Sequence, residues 1–382
     1  MENLLAKLGV DGVRKLQAAS AADLNAMVLF AGDISPPTEE VLDYVTELDT
    51  RCILYDQLRA FGNETGLVYP ALFAVTMVAP VSELRSLLQV LHGSTPNDRR
   101  MLFRNLTLAS HMGIKDYLSK PRSPDARRLL ARPPGIHIEP GMPIPPVSVS
   151  RSGFSERVKN RDGYRCIFTG TSDPEAAPIF PFSASSKRMF VNINDTLLRF
   201  WGPEKSTAWR RAYEDTELTQ SAKNGISMNR QLYFWFDQAR FALKPLRETP
   251  EGIIVQWHWL KETFFKPRAL IEPEETVQQT VRYSGVEDGS WGNSLAHRPS
   301  GVAIQTGQTF LLPAHEQMPS WDLLQMQWNL LRVAALCGAA GITDDYYDYE
   351  DLDEHEYDIA VWAKKRAIDA ECCNCKAKKG VS

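Results

Sequence analysis

Histidine is scarce in this chain: there are seven in 382 residues, and none lies between positions 138 and 257. The gap removes from the middle of the protein the side chain best suited to general-base work and nitrogen ligation near neutral pH. Long apolar runs are missing too. No stretch reaches 18 apolar residues, too little for a membrane-spanning helix, and the opening MENLLAKLGVDGVRKLQ reads as an amphipathic helix rather than a signal core. A cytoplasmic or nuclear protein with no membrane partner is expected. Cysteine is limited to six. Cys52, Cys166 and Cys337 stand singly in apolar stretches and read as reduced core thiols. Cys372, Cys373 and Cys375 crowd ECCNCKAKKG without a histidine beside them, which suits tail thiols better than a zinc site.

What is present is an ordinary globular composition, 43% hydrophobic and 24% charged, sufficient for a core shared by two or three subdomains. The net charge of −4 hides a division: residues 151 to 247 carry sixteen Lys/Arg against ten Asp/Glu, while 344 to 358 carry nine acids and no Lys or Arg. A basic module suits a phosphate-backbone binder, and the acidic run reads as a solvated segment. Eight prolines between 121 and 150 forbid a long helix there and mark an extended linker. Four parts follow: a helical domain over 1–120, the linker over 121–150, a mixed domain over 151–342, and an acidic, then Lys- and Cys-rich tail over 343–382.

Local patterns fill in this plan. Leu4, Leu5, Leu8 and Val13 space one helical face; Val41, Tyr44, Val45 and Leu48 space a second; Leu84, Leu87, Leu88 and Leu91 space a third. After the linker, FSERVKNRDG suggests a short helix ending in a turn at Asp162-Gly163, and YRCIFTG a strand. IIVQWHWL alternates as a strand with His258 on one face. PSWDLLQMQWNLLRVAALCGAAG reads as a long helix with Ser320 as N-cap and Gly338 or Gly341 as its stop.

Three blocks, RDGYRCIFTGTSDPEAAPIFPFS, NGISMNRQLYFWFDQARFALKPL and PSWDLLQMQWNLLRVAALCGAA, occur in an order that resembles the fungal HNH-endonuclease-domain proteins. The resemblance covers about 150 to 342. It implies an α+β fold: a mostly helical N-terminal region, then an HNH-like ββα module elaborated with strands and a long C-terminal helix. In that family a first histidine activates water, an Asn orients it, and a last histidine helps hold one divalent metal. Here Pro178 occupies the first position, Asn224 keeps the second, and Tyr233 occupies the last. Proline offers no base, and a neutral phenol is a poor ligand for magnesium or zinc. Asp237, four residues after Tyr233, and Asp173 or Glu175 before Pro178 are the carboxylates that would have to rebuild a metal site. No resident metal and no cofactor are therefore expected.

A scaffold that has lost its metal centre can be reused. The aromatic residues Phe180, Phe182, Trp235, Phe236 and Phe241 flank the old centre in sequence and are the candidate lining of an apolar pocket. Tyr233, with Asn224 and the nearest histidines His258 and His297, forms the candidate catalytic set. The first functional expectation is a metal-independent enzyme for a small, largely apolar substrate, performing a cyclisation, isomerisation or dehydration in fungal specialised metabolism. The alternatives are a noncatalytic nucleic-acid- or protein-binding pseudo-nuclease and an HNH endonuclease with substitute ligands.

Overall fold

The computed structural model describes residues 38–39, 45–62, 68–118, 151–181, 187–260, 263, 265, 296–297 and 302–339. The chain divides into two units, 1–341 and 342–382, and every described residue belongs to the first. The face spaced by Leu4 to Val13, the Pro-rich linker, the acidic and Cys-rich tail, and Phe182 lie outside the described residues.

Among the described residues, four helices form the N-terminal part: α1 (Leu48–Gly62), α2 (Pro70–Val78), α3 (Val81–Gly93) and α4 (Pro96–Leu118). All nine residues of α2 are buried, as an all-round apolar helix demands. Its C-terminal carbonyls are answered by the buried Arg51, whose Nη1 donates to Thr76 O at 2.8 Å and Ala79 O at 2.6 Å, a cation at the negative end of a helix. In α3 the spacing read from the sequence holds: Leu84, Leu88 and Leu91 are buried and Leu87 packs partly buried against the core.

Helix α5 (Arg151–Arg161) leads through a tight loop to strand β1 (Glu175–Pro178). The strand expected over YRCIFTG is instead a pair of turns. Gly163 and Tyr164 both take left-handed backbone conformations, with φ 64° and 55°, and Gly170 N closes back on Cys166 O at 2.8 Å. One isolated bridge, Arg165 to Ser172, is all the β structure there. Helix α6 (Lys187–Glu214) follows, bent at Gly202, whose φ of 76° and ψ of 168° precede Pro203. It lies close along α4: a Cβ on Gly113 would meet Thr196 Oγ1 at 2.1 Å, so only glycine permits the approach. After α7 (Thr216–Gln220) and a 3-10 turn over Ala222–Asn224 come β2 (Gly225–Met228) and α8 (Arg230–Asp237). Strands β1 and β2 pair antiparallel, Glu175 opposite Met228 and Pro178 opposite Gly225. With α8, they make the expected ββα unit.

The remaining strands are β3 (Phe241–Thr249), β4 (Gly252–Trp259), β5 (Ala296–His297), β6 (Val302–Ala303) and β7 (Thr309–Pro313); β3, β4 and β7 form one antiparallel sheet in that order. Its hairpin depends on Gly252, at φ 139°, where a Cβ would sit 2.0 Å from Leu312 O. Helix α9 (Trp321–Leu336) covers the sheet; Ser320 caps it by accepting from Leu323 N, and Gly338, at φ 78°, ends it. Helices and small antiparallel sheets together give the α+β class that the sequence implied. Among the described residues no helix is long and apolar enough to cross a membrane.

Candidate functional site

The ββα unit is held from beneath by two consecutive charged residues. Arg161, at the end of α5, spends all five guanidinium N–H groups. Nε and Nη2 reach the two Asp162 carboxylate oxygens at 2.7 and 2.8 Å, Nη1 donates to Ala222 O at 2.7 Å and Gln317 O at 3.0 Å, and Nη2 also donates to Gly225 O at 2.8 Å. Asp162 in turn accepts from Ser227 N at 2.8 Å. The pair is almost fully buried, with side-chain exposures of 4% and 1%. It therefore fixes the start of β2 to α5 and to the segment before α9. A charged pair at adjacent positions leaves no periodic trace in a sequence, and the residue types alone gave no signal of this role.

Asn224 is fully buried. Its Oδ1 accepts from Phe180 N at 2.7 Å, and its Nδ2 donates to Phe180 O at 3.0 Å and Thr219 O at 2.9 Å. The side chain thereby mimics a paired strand across the bend that follows β1. Its hydrogen bonds hold Phe180, two residues past Pro178, and make Asn224 a positioning residue.

Of the aromatic residues expected to line a pocket, Phe180, Trp235, Phe236 and Phe241 pack as core. Phe180 stacks on Tyr213 of α6, with centroids 5.3 Å apart at 14°, and leans on Tyr117 of α4 at 6.3 Å. Trp235 meets Trp259 edge-on at 5.7 Å, Phe236 lies 5.4 Å from Phe241, and Phe241 stacks on Trp257 at 3.8 Å. Phe180 and Phe241 have no exposed surface; Trp235 and Phe236 keep 5% and 4%. Tyr233, half-buried on α8, packs against the edge of the same core.

Of the candidate catalytic set, His258 stands apart from the ββα unit that holds Asn224 and Tyr233. His258 is fully buried on β4, its Nε2 2.8 Å from Gln256 Oε1 and its ring tilted on Trp328 of α9 at 4.7 Å. Its neighbours Trp257 and Trp259 project from the opposite face of the strand and meet Phe168 and Trp235. The sheet therefore stands between His258 and the ββα unit. His297 sits in β5, paired with Val302, and its side chain lies outside the described residues.

The donor set does not suit the divalent metal of an HNH centre. Glu175 is bound by Arg230 Nε at 3.2 Å. Asp173 is exposed at φ 55°. Asp237 is half-buried and lies close enough to Tyr117 for its charge, after burial itself, to push that phenol above its ordinary range. Among the described residues no three of His, Cys, Asp and Glu gather where they could hold an ion, and neither the Pro178 ring nor the Tyr233 phenol would complete such a set.

A family model described as HNH endonuclease matches residues 166–244. No curated protein and no solved structure matches the chain significantly. The matched segment runs from the loop after α5 to the middle of β3 and contains both strands and the helix of the ββα unit. Residues 166–244 thus form an HNH-type domain, set within a larger α+β chain.

Proposed function

We propose that the HNH-type domain works as a noncatalytic binding module, a pseudo-nuclease that retains the scaffold and a basic face for polyanions such as nucleic acid. The observation that carries this reading is the filled centre: Phe180 is wedged between Tyr213 and Tyr117 where the bend after β1 would otherwise open. A buried aromatic stack offers no base, nucleophile or metal ligand, and general-base catalysis alone is typically worth about 10² to 10⁴ in rate. Around this core the cations remain outside. Arg157 and Arg165 are exposed beside the unit, and Lys205 and Arg211 are exposed on α6, where Arg210 is ion-paired with Glu214 at 2.9 Å. Such charges contribute salt-dependent affinity without sequence readout.

The test is fluorescence anisotropy of labelled single- and double-stranded oligonucleotides across a salt series, run beside plasmid cleavage with added magnesium, manganese, nickel or zinc. Binding that weakens linearly in log salt, with a slope shallower by about two in an Arg157→Glu/Arg165→Glu variant, supports the module. Cleavage lost in Asn224→Ala while the fold persists would overturn it in favour of a nuclease with substitute ligands.

One observation favours a second reading, the metal-independent enzyme for a small apolar molecule. Tyr117, fully buried beside the Asp237 carboxylate, stays a protonated phenol at neutral pH, and a held phenol can donate a hydrogen bond to a carbonyl. That reading needs the Phe180 stack to open. Saturable binding of an apolar fluorophore that is lost in Phe180→Trp would support it, and no such binding would remove it.

A further inference from the structure

We infer that the solvent face of α8 is a stacking platform for an unpaired base, which makes single-stranded nucleic acid the ligand of the ββα unit. The inference rests on the binding-module reading above and narrows it. Four aromatic residues follow one another in RQLYFWFD, and the fold separates them: Trp235 and Phe236 are buried, Tyr233 is half-buried against the core, and Phe234 is 50% exposed. Among the described residues the other exposed large apolar side chains are aliphatic, save Tyr164, whose hydroxyl is held by Glu156. Arg230 and Gln231 are exposed as well, four and three residues before Phe234. On a helix those spacings put all three side chains on one face. The Arg230 side chain is 89% exposed, and its Nε pairs with Glu175 at 3.2 Å. A surface pair of that kind is weak and exchanges readily for a phosphate oxygen. Asn229 holds the helix start by accepting from Leu232 N at 2.7 Å, so the face is presented from a capped turn.

The composition of this face selects the partner. A protein partner covering an exposed phenyl ring gains most from a continuous apolar patch, yet the neighbours of Phe234 on its face are a guanidinium and a carboxamide. A nucleotide answers each of the three: its base offers a flat π surface to the ring, the base edge offers donors and acceptors to the Gln231 amide, and its phosphate offers oxygens to Arg230. The exposed Arg157 and Arg165 beside the unit supply further charge of the sign that a phosphate backbone requires. Within a duplex the faces of the bases lie against one another, so only an unpaired base can meet the ring. Stacking of this kind is indifferent to base identity, and the platform therefore reads strandedness rather than sequence.

The experiment uses the full chain and three fluorescein-labelled DNA probes of equal length, read by anisotropy at one salt concentration: a single strand, the corresponding duplex, and an abasic strand that keeps the phosphates and lacks the bases. The wild type is expected to bind the base-bearing strand about fivefold or more tighter than the abasic strand. Phe234→Leu keeps apolar bulk and helix propensity but removes the π face. It is expected to bring the base-bearing strand down to the abasic level and to leave the abasic strand and the duplex unchanged. Phe234→Tyr, the conservative variant, is expected to retain the preference. Equal binding of base-bearing and abasic strands by the wild type overturns the platform. So does a Phe234→Leu protein that binds the base-bearing strand like the wild type, or one that weakens on all three probes alike. The two readings fail differently: no binding of any probe removes the binding module and the platform together, whereas salt-dependent binding of all three without a base preference removes the platform and leaves the module.

Discussion

Asn224 and Phe180 hold each other by two hydrogen bonds, Phe180 N to Asn224 Oδ1 at 2.7 Å and Asn224 Nδ2 to Phe180 O at 3.0 Å. The side chain of Asn224 therefore shapes the bend after β1 whether or not chemistry follows. Asn224→Ala leaves Phe180 N, Phe180 O and Thr219 O without their partner in a buried place. At about 1–3 kcal/mol for each stranded group, partly relieved by relaxation, a loss of about 3 kcal/mol is expected in urea or thermal unfolding. Asn224→Asp is expected to be no better, because a carboxylate can accept from Phe180 N but cannot donate to the two carbonyls. An Asn224→Ala protein as stable as the wild type would show that the pair is incidental.

Placing imidazoles at positions 178 and 233 tests whether the ββα scaffold can hold the divalent metal expected of an HNH centre. Pro178 ends β1, and Tyr233 stands one turn into α8, which packs against β1. The double variant Pro178→His/Tyr233→His is expected to gain zinc or nickel binding that calorimetry detects, because neutral imidazole is a good ligand and a phenol or proline ring is not. The wild type is expected to show none at the same concentrations. Equal metal binding by both proteins would mean that carboxylates already supply the site.

Much of this architecture was legible because its causes are local. Ser320 announces α9 as an N-cap does, through its own hydroxyl and the next turn, and the alternation of IIVQWHWL puts His258 and Trp257 on opposite faces whatever surrounds them. YRCIFTG failed as a strand because Asp162, Gly163 and Tyr164 turn the chain just before it and Gly170 closes on Cys166, so aromatic and β-branched content lost to turn chemistry. The clustering of aromatic residues in the sequence around Tyr233 was legible. Sequence could not say whether that cluster encloses space or fills it: a lining residue and a core residue are the same residue type, and only packing separates them.

Arg161 supplies a prediction that the sequence did not offer. Its five hydrogen bonds join α5, the 3-10 turn, β2 and the segment at Gln317. Removing one member of a buried pair leaves the other charged and dry, so Asp162→Ala is expected to cost about 3–5 kcal/mol. Arg161→Lys is expected to be nearly as damaging, since an ammonium has three donors and no planar fork. Chemical denaturation of both variants would check this, and a cost below about 1 kcal/mol for either would show that water replaces the clamp.

Base stability follows from the two tyrosines that enclose Phe180. Burial pushes the phenols of Tyr117 and Tyr213 above their ordinary value, and the carboxylates of Asp237 and Glu214 push each further. Below pH about 10 the folded and unfolded chains both keep these protons, so neither phenol makes stability depend on pH. Above it the unfolded chain releases protons that the folded chain still holds. Stability then falls as pH rises, by about 1.4 kcal/mol per pH unit for each fully shifted phenol. Tyr117→Phe removes one such group and keeps the ring against Phe180, so its unfolding free energy is expected to decline less steeply between about pH 10 and 11.5 than that of the wild type. Tyr117→Phe/Tyr213→Phe is expected to be flatter still. Identical slopes in the three proteins, measured by urea unfolding at each pH, would show that the stack admits water and that Phe180 is not sealed between them.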